Sequence, residues 1–433
     1  MATNRPLVHL DQLYEFASGL SKPRSEFGEG FPFLSFKDVF YHTFVPQNLR
    51  ELVKSSEAEQ RNLSIKRGDV FLTRTSETVD ELGMSCVALA DVPNATFNGF
   101  TKRLRPKSQG AIVPEYAGYF FRSPCFRSAV YAMSSLSTRA SLNNEMLARL
   151  AIMLPSVDEQ VAIGHVLKAL DDKIELNRRM NETLETMAQA LFKSWFVDFD
   201  PVRRKLEGRN LDLPQSIAKL FSDGFDESEL GPIPRGWSSG LIGDVAEHPR
   251  RGIRPAEIDE ATPYIALDNM PKRCISLSEW GHAEGLESGK LEFKRREILF
   301  GKLRPYFHKV GIAPVDGVCS TDIVVVVPRS EAWFGFVLGH VSSDAFVEHT
   351  NAGSTGTKMP RTSWGEMARF PVVIPPEDVA EAFTAQINSK VERLLGSIHE
   401  NRTLAALRDA LLPKLISGEL RVKAAEKIIE AVA

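Results

Sequence analysis

The 433 residues carry 53 basic and 56 acidic side chains, 43% hydrophobic residues and a net charge of −3, a composition within the globular range. At ~100 to 200 residues per domain, that length points to two to four domains and excludes a single ordinary core. The opening MATNRPLVHLDQ lacks the pattern of a secretory leader, and no run reaches the ~18 apolar residues of a membrane span, so a cytoplasmic location is expected.

Residues 1–155 mix glycine, proline and β-branched residues and form a first globular region with 18 basic and 15 acidic side chains. Its cysteines, Cys86 and Cys125, lie far from each other and from Cys274 and Cys319. With no C-x-x-C pair, neither a zinc site nor a disulfide framework is indicated, and the four read as small packing residues. From about residue 156 the composition changes to a proline-free stretch, predicted as one long helix over 156–200 and ended by Pro201. Alternating spacings of four and three pick out Ile163, Leu167, Leu170, Ile174, Asn177, Asn181, Leu184, Ala188, Leu191 and Trp195. Eight of these ten are apolar, where a random draw would give about four. The stripe is a heptad seam, and ~39 residues at 1.5 Å per residue make a rod of roughly 58 Å. Asn177 and Asn181 fall on that seam, either paired to fix register or facing a seam locally open to water.

Residues 201–236 are charged and finish in ELGPIPRGW, which reads as a linker; residues 156–235 hold 11 basic and 15 acidic side chains. Short β-rich runs such as PYIALDNM, REILFGKLRPYF and DIVVVVP place a second globular region over 237–376. A second helical stretch runs to Pro413 within a segment 377–420, and a charged tail follows over 421–433.

The two helical stretches align at a constant offset of 220, Pro155 onto Pro375, Asn181 onto Asn401, Leu184 onto Leu404 and Leu191 onto Leu411, with Leu394 also on the second seam. Upstream the match is looser: RGDVFLTRT at 67–75 resembles RREILFGKL at 295–303, and STRAS near 137 resembles MPRTS near 359. The chain reads as a duplicated unit of domain plus helix, too long in period for a solenoid. The second helix must return along the first, so the expected fold is α+β, with two similar heads separated by two long antiparallel coiled-coil helices in pseudo-two-fold symmetry.

Catalytic patterns are missing. IPPE at 374–377 differs at both ends from the turn that holds an adenine amine in a methyltransferase, and GSTGTKM near 356 fails the phosphate-loop pattern. Glu292 and Lys294 form an E-x-K pair of the kind found in metal-dependent nucleases, a spacing that is common by chance. A self-sufficient DNA-modifying or DNA-cutting enzyme is therefore the second reading, and a coiled-coil scaffold without DNA the third.

LPSVDEQVAIGHVLKALDDKIELNRRMNETLE running into ALFKSWFVDFDPV, then LGPIPRGW, STGTKMPR and LLPKLISGEL, resemble the specificity subunits of type I restriction-modification enzymes over nearly the whole chain. The resemblance implies two target-recognition domains that each read half of a bipartite DNA site. It also implies partners: two modification subunits that bind S-adenosylmethionine and methylate adenine, and restriction subunits that use ATP and Mg. No cofactor is expected in this chain, and the acidic helical region is a candidate docking surface for the partners.

Reading base edges needs donors on loops beside strands, while cations and hydroxyls hold phosphates. The candidates in the first region are Arg74, Thr75, Lys102, Arg103, Arg105, Arg139, Ser141 and Asn143. Those in the second are Lys302, Arg304, Ser354, Thr355, Lys358 and Arg361.

Overall fold

The first long helix runs over Val157–Phe196. Ser156 Oγ accepts a hydrogen bond from the Glu159 amide (3.3 Å), and Asp158 and Glu159 sit at the positive end of the helix dipole. The helix ends at Phe196, short of Pro201: the Val197 and Asp198 amides both turn back onto the Lys193 carbonyl, and Phe199 adopts a left-handed conformation (φ 55°). Pro201 instead lies in the first turn of a new helix, Asp200–Leu206, where its missing N–H leaves nothing unsatisfied. The second long helix, Glu377–Ser417, also overrides its expected stop. It passes through Pro413 because Leu411, Leu415 and Ile416 around that residue are all buried and hold the turn together. Gly418 (φ 79°) ends it, with the Leu420 amide donating to the Lys414 carbonyl at 3.0 Å.

The computed structural model describes residues 5–75, 81–134, 141–356 and 358–432. It divides into two compact units, Met1–Lys173 with Leu404–Ala433, and Ile174–Thr403, so each long helix contributes a segment to both. Within each unit the helical segments run antiparallel. In the first unit Arg408 Nη1 meets Asp171 Oδ1 at 2.6 Å, while Arg5 joins Glu159 Oε1 (2.6 Å) to the Leu415 carbonyl (3.3 Å). In the second, Trp195 packs on Phe383 with ring centroids 5.5 Å apart.

The seam is closed. Ile163, Leu167, Leu170, Leu394, Leu404 and Leu411 are buried, while Ile174, Leu184 and Leu191 are half-buried. Asn177 Nδ2 donates to Asn401 Oδ1 (2.9 Å) and Glu400 Oε2 (2.8 Å), and Asn181 Oδ1 accepts from Ser397 Oγ (2.6 Å). The 220 offset carries Asn177 onto Ser397 and Asn181 onto Asn401, so the two contacts exchange with each other.

Both heads repeat one topology. The first has an antiparallel four-stranded sheet in the order Tyr14–Ser18, Thr101–Pro106, Val70–Thr73, Ser85–Val87. The second has Ala246–Glu247, Ile323–Pro328, Ile298–Gly301, Val310–Ile312 in the same order. Each head also has another sheet with one parallel pair, Phe33 with Thr96 in the first and Tyr264 with Val318 in the second. A small antiparallel pair, Leu7–His9 with Ala151–Met153 and Ser238–Leu241 with Pro371–Ile374, ties the start of each head to the chain just before its long helix.

Residues 201–236, expected as a linker, hold the helices Asp200–Leu206 and Gln215–Ala218 and a hairpin of Phe225–Ser228 with Gly231–Pro234. Proline is tolerated there because both strands of a two-stranded hairpin are edges. Phe221 and Trp237 anchor the segment in the core of the second unit. The charged tail is ordered as well, forming an amphipathic helix, Val422–Val432, that buries Ala425. Among the described residues, no helix is long and apolar enough to cross a membrane.

Candidate nucleic-acid interface

In the second head, strand Ile298–Gly301 is buried at every position, so Lys302 is the first residue beyond it able to present a polar side chain. Its amide donates to the Asp322 carbonyl (2.9 Å), and its carbonyl accepts from the Thr362 amide (3.1 Å). Two residues on, the Arg304 amide donates to the Pro360 carbonyl (2.7 Å), and Thr355 and Arg361 exchange backbone bonds of 3.0 and 2.9 Å. These bonds clamp the 302–304 loop to the 355–362 loop and bring Lys302, Arg304, Thr355 and Arg361 together. Arg361 Nη2 lies 3.3 Å from Asp322 Oδ1, with its side chain 53% exposed. Arg304 and His308 are both left-handed (φ 51°), which costs about 1 kcal/mol or more per residue. His308 is held there by burial and by Nε2 donating to the Ser342 carbonyl at 2.9 Å.

The first head repeats the clamp. Strand Val70–Thr73 is again fully buried, the Arg74 amide donates to the Phe100 carbonyl (2.9 Å), and the Arg74 carbonyl accepts from the Leu142 amide (2.8 Å). Thr75 bridges Ser141 just as Leu303 bridges Arg361. Arg74 and Lys302 thus occupy the same station in the two heads. Beside Arg74, Lys102 Nζ donates to Ser18 Oγ (2.9 Å) and Asn144 Oδ1 (2.8 Å). Burial, then the Arg74 charge, pulls the Lys102 ammonium below its ordinary pKa.

Residues 8–186 match the model of the type I restriction modification DNA specificity domain. That match spans the first head and most of the first long helix. The chain is 25% identical over 420 residues to the type I restriction enzyme MjaIX specificity subunit of Methanocaldococcus jannaschii, covering 93% of this chain and 90% of that one. It is also 25% identical over 341 residues to the HindI specificity subunit of Haemophilus influenzae, covering 67% and 73%. Its fold is similar to that of a crystal structure of a type I restriction-modification S subunit from M. genitalium, with a TM-score of 0.57, 12% identity, and 96% and 97% of the two chains covered.

Within the first head, two arginines expected at DNA make structural bonds instead. Arg103 is buried, with Nη1 donating to the carbonyls of Ser64 (2.8 Å) and Asn62 (3.2 Å). Arg105 makes a two-pronged bond to the fully buried Asp69 carboxylate (2.7 and 2.6 Å). Both lie on Thr101–Pro106, a strand flanked on either side within its sheet, so their charged ends are consumed inside the domain. Asn143 also has a local task, its Oδ1 accepting from the Met146 amide (2.8 Å) to cap the helix Asn144–Arg149. Arg139 lies outside the described residues. In the second head, Ser354 Oγ is turned onto the Asn351 carbonyl (2.7 Å) at a helix end, whereas Lys358 is exposed on the clamped loop.

Sequence reasoning missed His248 and Arg250. His248 Nδ1 donates to the Val325 carbonyl (2.8 Å). Burial is the largest cause holding its pKa below the ordinary value; the bond to Val325 opposes it, and the Arg250, Lys302 and Arg251 charges add to it. The available signal was the basic run in HPRRGIRP between two prolines, which no fixed motif captures.

Proposed function

We propose that this chain is the non-catalytic DNA-reading subunit of a type I restriction-modification complex. Each head reads one half of an asymmetric bipartite site, and the two long helices set the gap. The observation that carries this reading is the repeated clamp, one backbone station that bears Arg74 in one head and Lys302 in the other. A cation fixed at a strand end by two backbone bonds is a pre-organised donor for base edges or phosphates. The heads differ around that station, so the half-sites differ. Modification subunits supply S-adenosylmethionine-dependent adenine methylation, restriction subunits supply ATP- and Mg-dependent chemistry, and the acidic helical region over 156–235 is their docking surface.

The test is reconstitution. Methylation at one bipartite motif, appearing only when modification subunits are added, is expected; methylation or cleavage by the purified chain alone contradicts the reading.

A further inference from the structure

In the first head, the strands Tyr14–Ser18 and Thr101–Pro106 end with Ser18 opposite Lys102, which places a second cation next to Arg74. The matching pair in the second head sets Ala246 opposite Pro328 and Glu247 opposite Val327. The pairing ends at Glu247; in chain order Arg250 stands four residues after the strand start Ala246, as Ser18 stands four after Tyr14, and Val324 stands four before Pro328, as Lys102 stands four before Pro106. The first head thus has Lys102 beside Arg74, whereas in the second head Lys102's counterpart in chain order is the apolar Val324 and the segment that follows the first strand carries Arg250.

These two cations are held in opposite ways. Lys102 is buried and its donors are spent on Ser18 and Asn144. Arg250 is exposed and has no ion pair among the described residues. Its backbone is left-handed (φ 48°) directly after Pro249, a conformation that a non-glycine residue keeps only when its surroundings impose it. The neighbours impose it: His248 is bonded to the Val325 carbonyl on one side, and Arg251 is bonded to Glu297 and receives the Glu292 amide (2.8 Å) on the other. A pinned backbone fixes where the side chain starts, and a planar guanidinium matches the paired acceptors of a guanine edge, whereas phosphate holding needs only a point charge such as Lys302.

We propose that Arg250 is a base-reading residue of the second head, its guanidinium donating to a guanine edge in the major groove, with Lys302 on the adjoining phosphate. This rests on the reading of the two heads as DNA readers.

The test uses the full chain, purified natively from host cells with the subunits that accompany it, and a randomised double-stranded DNA pool whose bound fraction is sequenced. The wild type is expected to enrich two half-sites. Arg250→Ala is expected to lose about ten- to a hundredfold of the preference for one guanine in one half-site, with the other half intact. Arg250→Lys should keep overall binding yet show the same loss, and Arg74→Ala should leave that guanine untouched. An even loss of binding across all sequences, or no change in either Arg250 variant, overturns the proposal. If the wild type itself enriches no motif, the DNA-reading function fails first, before any variant is compared.

Discussion

Arg74, just past the strand Val70–Thr73, and Arg105, on the neighbouring strand Thr101–Pro106, have opposite tasks. Arg105 neutralises the fully buried Asp69, so Arg105→Ala leaves an uncompensated buried carboxylate. With Arg105 itself partly exposed, the expected loss is about 2 to 3 kcal/mol, read as a lower urea midpoint. Arg74 joins the clamp through its backbone, and among the described residues its guanidinium has one hydrogen-bond partner, Ser18 Oγ at 3.4 Å. Arg74→Ala is therefore expected to leave the urea midpoint nearly unchanged and to weaken binding of the duplex that carries the native site. A large stability loss in Arg74→Ala would mean that the residue is structural. The sequence marks both arginines as basic residues near strands. It does not mark Asp69, 36 residues from Arg105, as the partner that takes one of them out of the interface.

The helices were the most legible elements, because a heptad stripe records burial directly. Ile163, Leu167 and Leu170 are buried as the stripe requires, and the Asn177 and Asn181 ambiguity resolves toward pairing. Asn177→Ala removes the donor for Asn401 and Glu400, at an expected cost of about 1 to 2 kcal/mol. Exchanging both Asn177 and Asn401 for leucine should recover part of that, since the two amides no longer strand each other, while Glu400 still loses its Asn177 donor. Equal losses in the single and double variants by urea denaturation would refute the pairing account. Helix ends were less legible. Proline is compatible with a first turn at Pro201 and with a well-packed interior turn at Pro413, and only tertiary burial distinguishes such sites from stops.

At the scale of the whole chain, the duplication extends through the heads as well as the helices, with a drifting offset. The helices Leu10–Leu13 and Ile242–Val245 are 232 residues apart, the strands Val70–Thr73 and Ile298–Gly301 are 228 apart, and the strands Ser85–Val87 and Val310–Ile312 are 225 apart. From Pro114–Phe120 and Phe334–Val341 onward the offset settles at 220. An ungapped comparison of the sequence sees only that last part, which is why the helices matched clearly and the heads faintly. Loop insertions and deletions shift the offset without altering the strand order, because surface connections tolerate length changes that strand registers do not.

If the paired helices set the distance between two half-sites, as proposed, then inserting one heptad into each helix at positions matched across the Asn177–Asn401 cluster must change that distance. Seven residues lengthen a helix by about 10.5 Å, or roughly three base pairs of B-DNA. Mapping genomic methylation with wild-type and extended chains should show the same two half-sites with a gap about three base pairs longer. An unchanged gap, or altered half-sites at the old gap, would contradict the account.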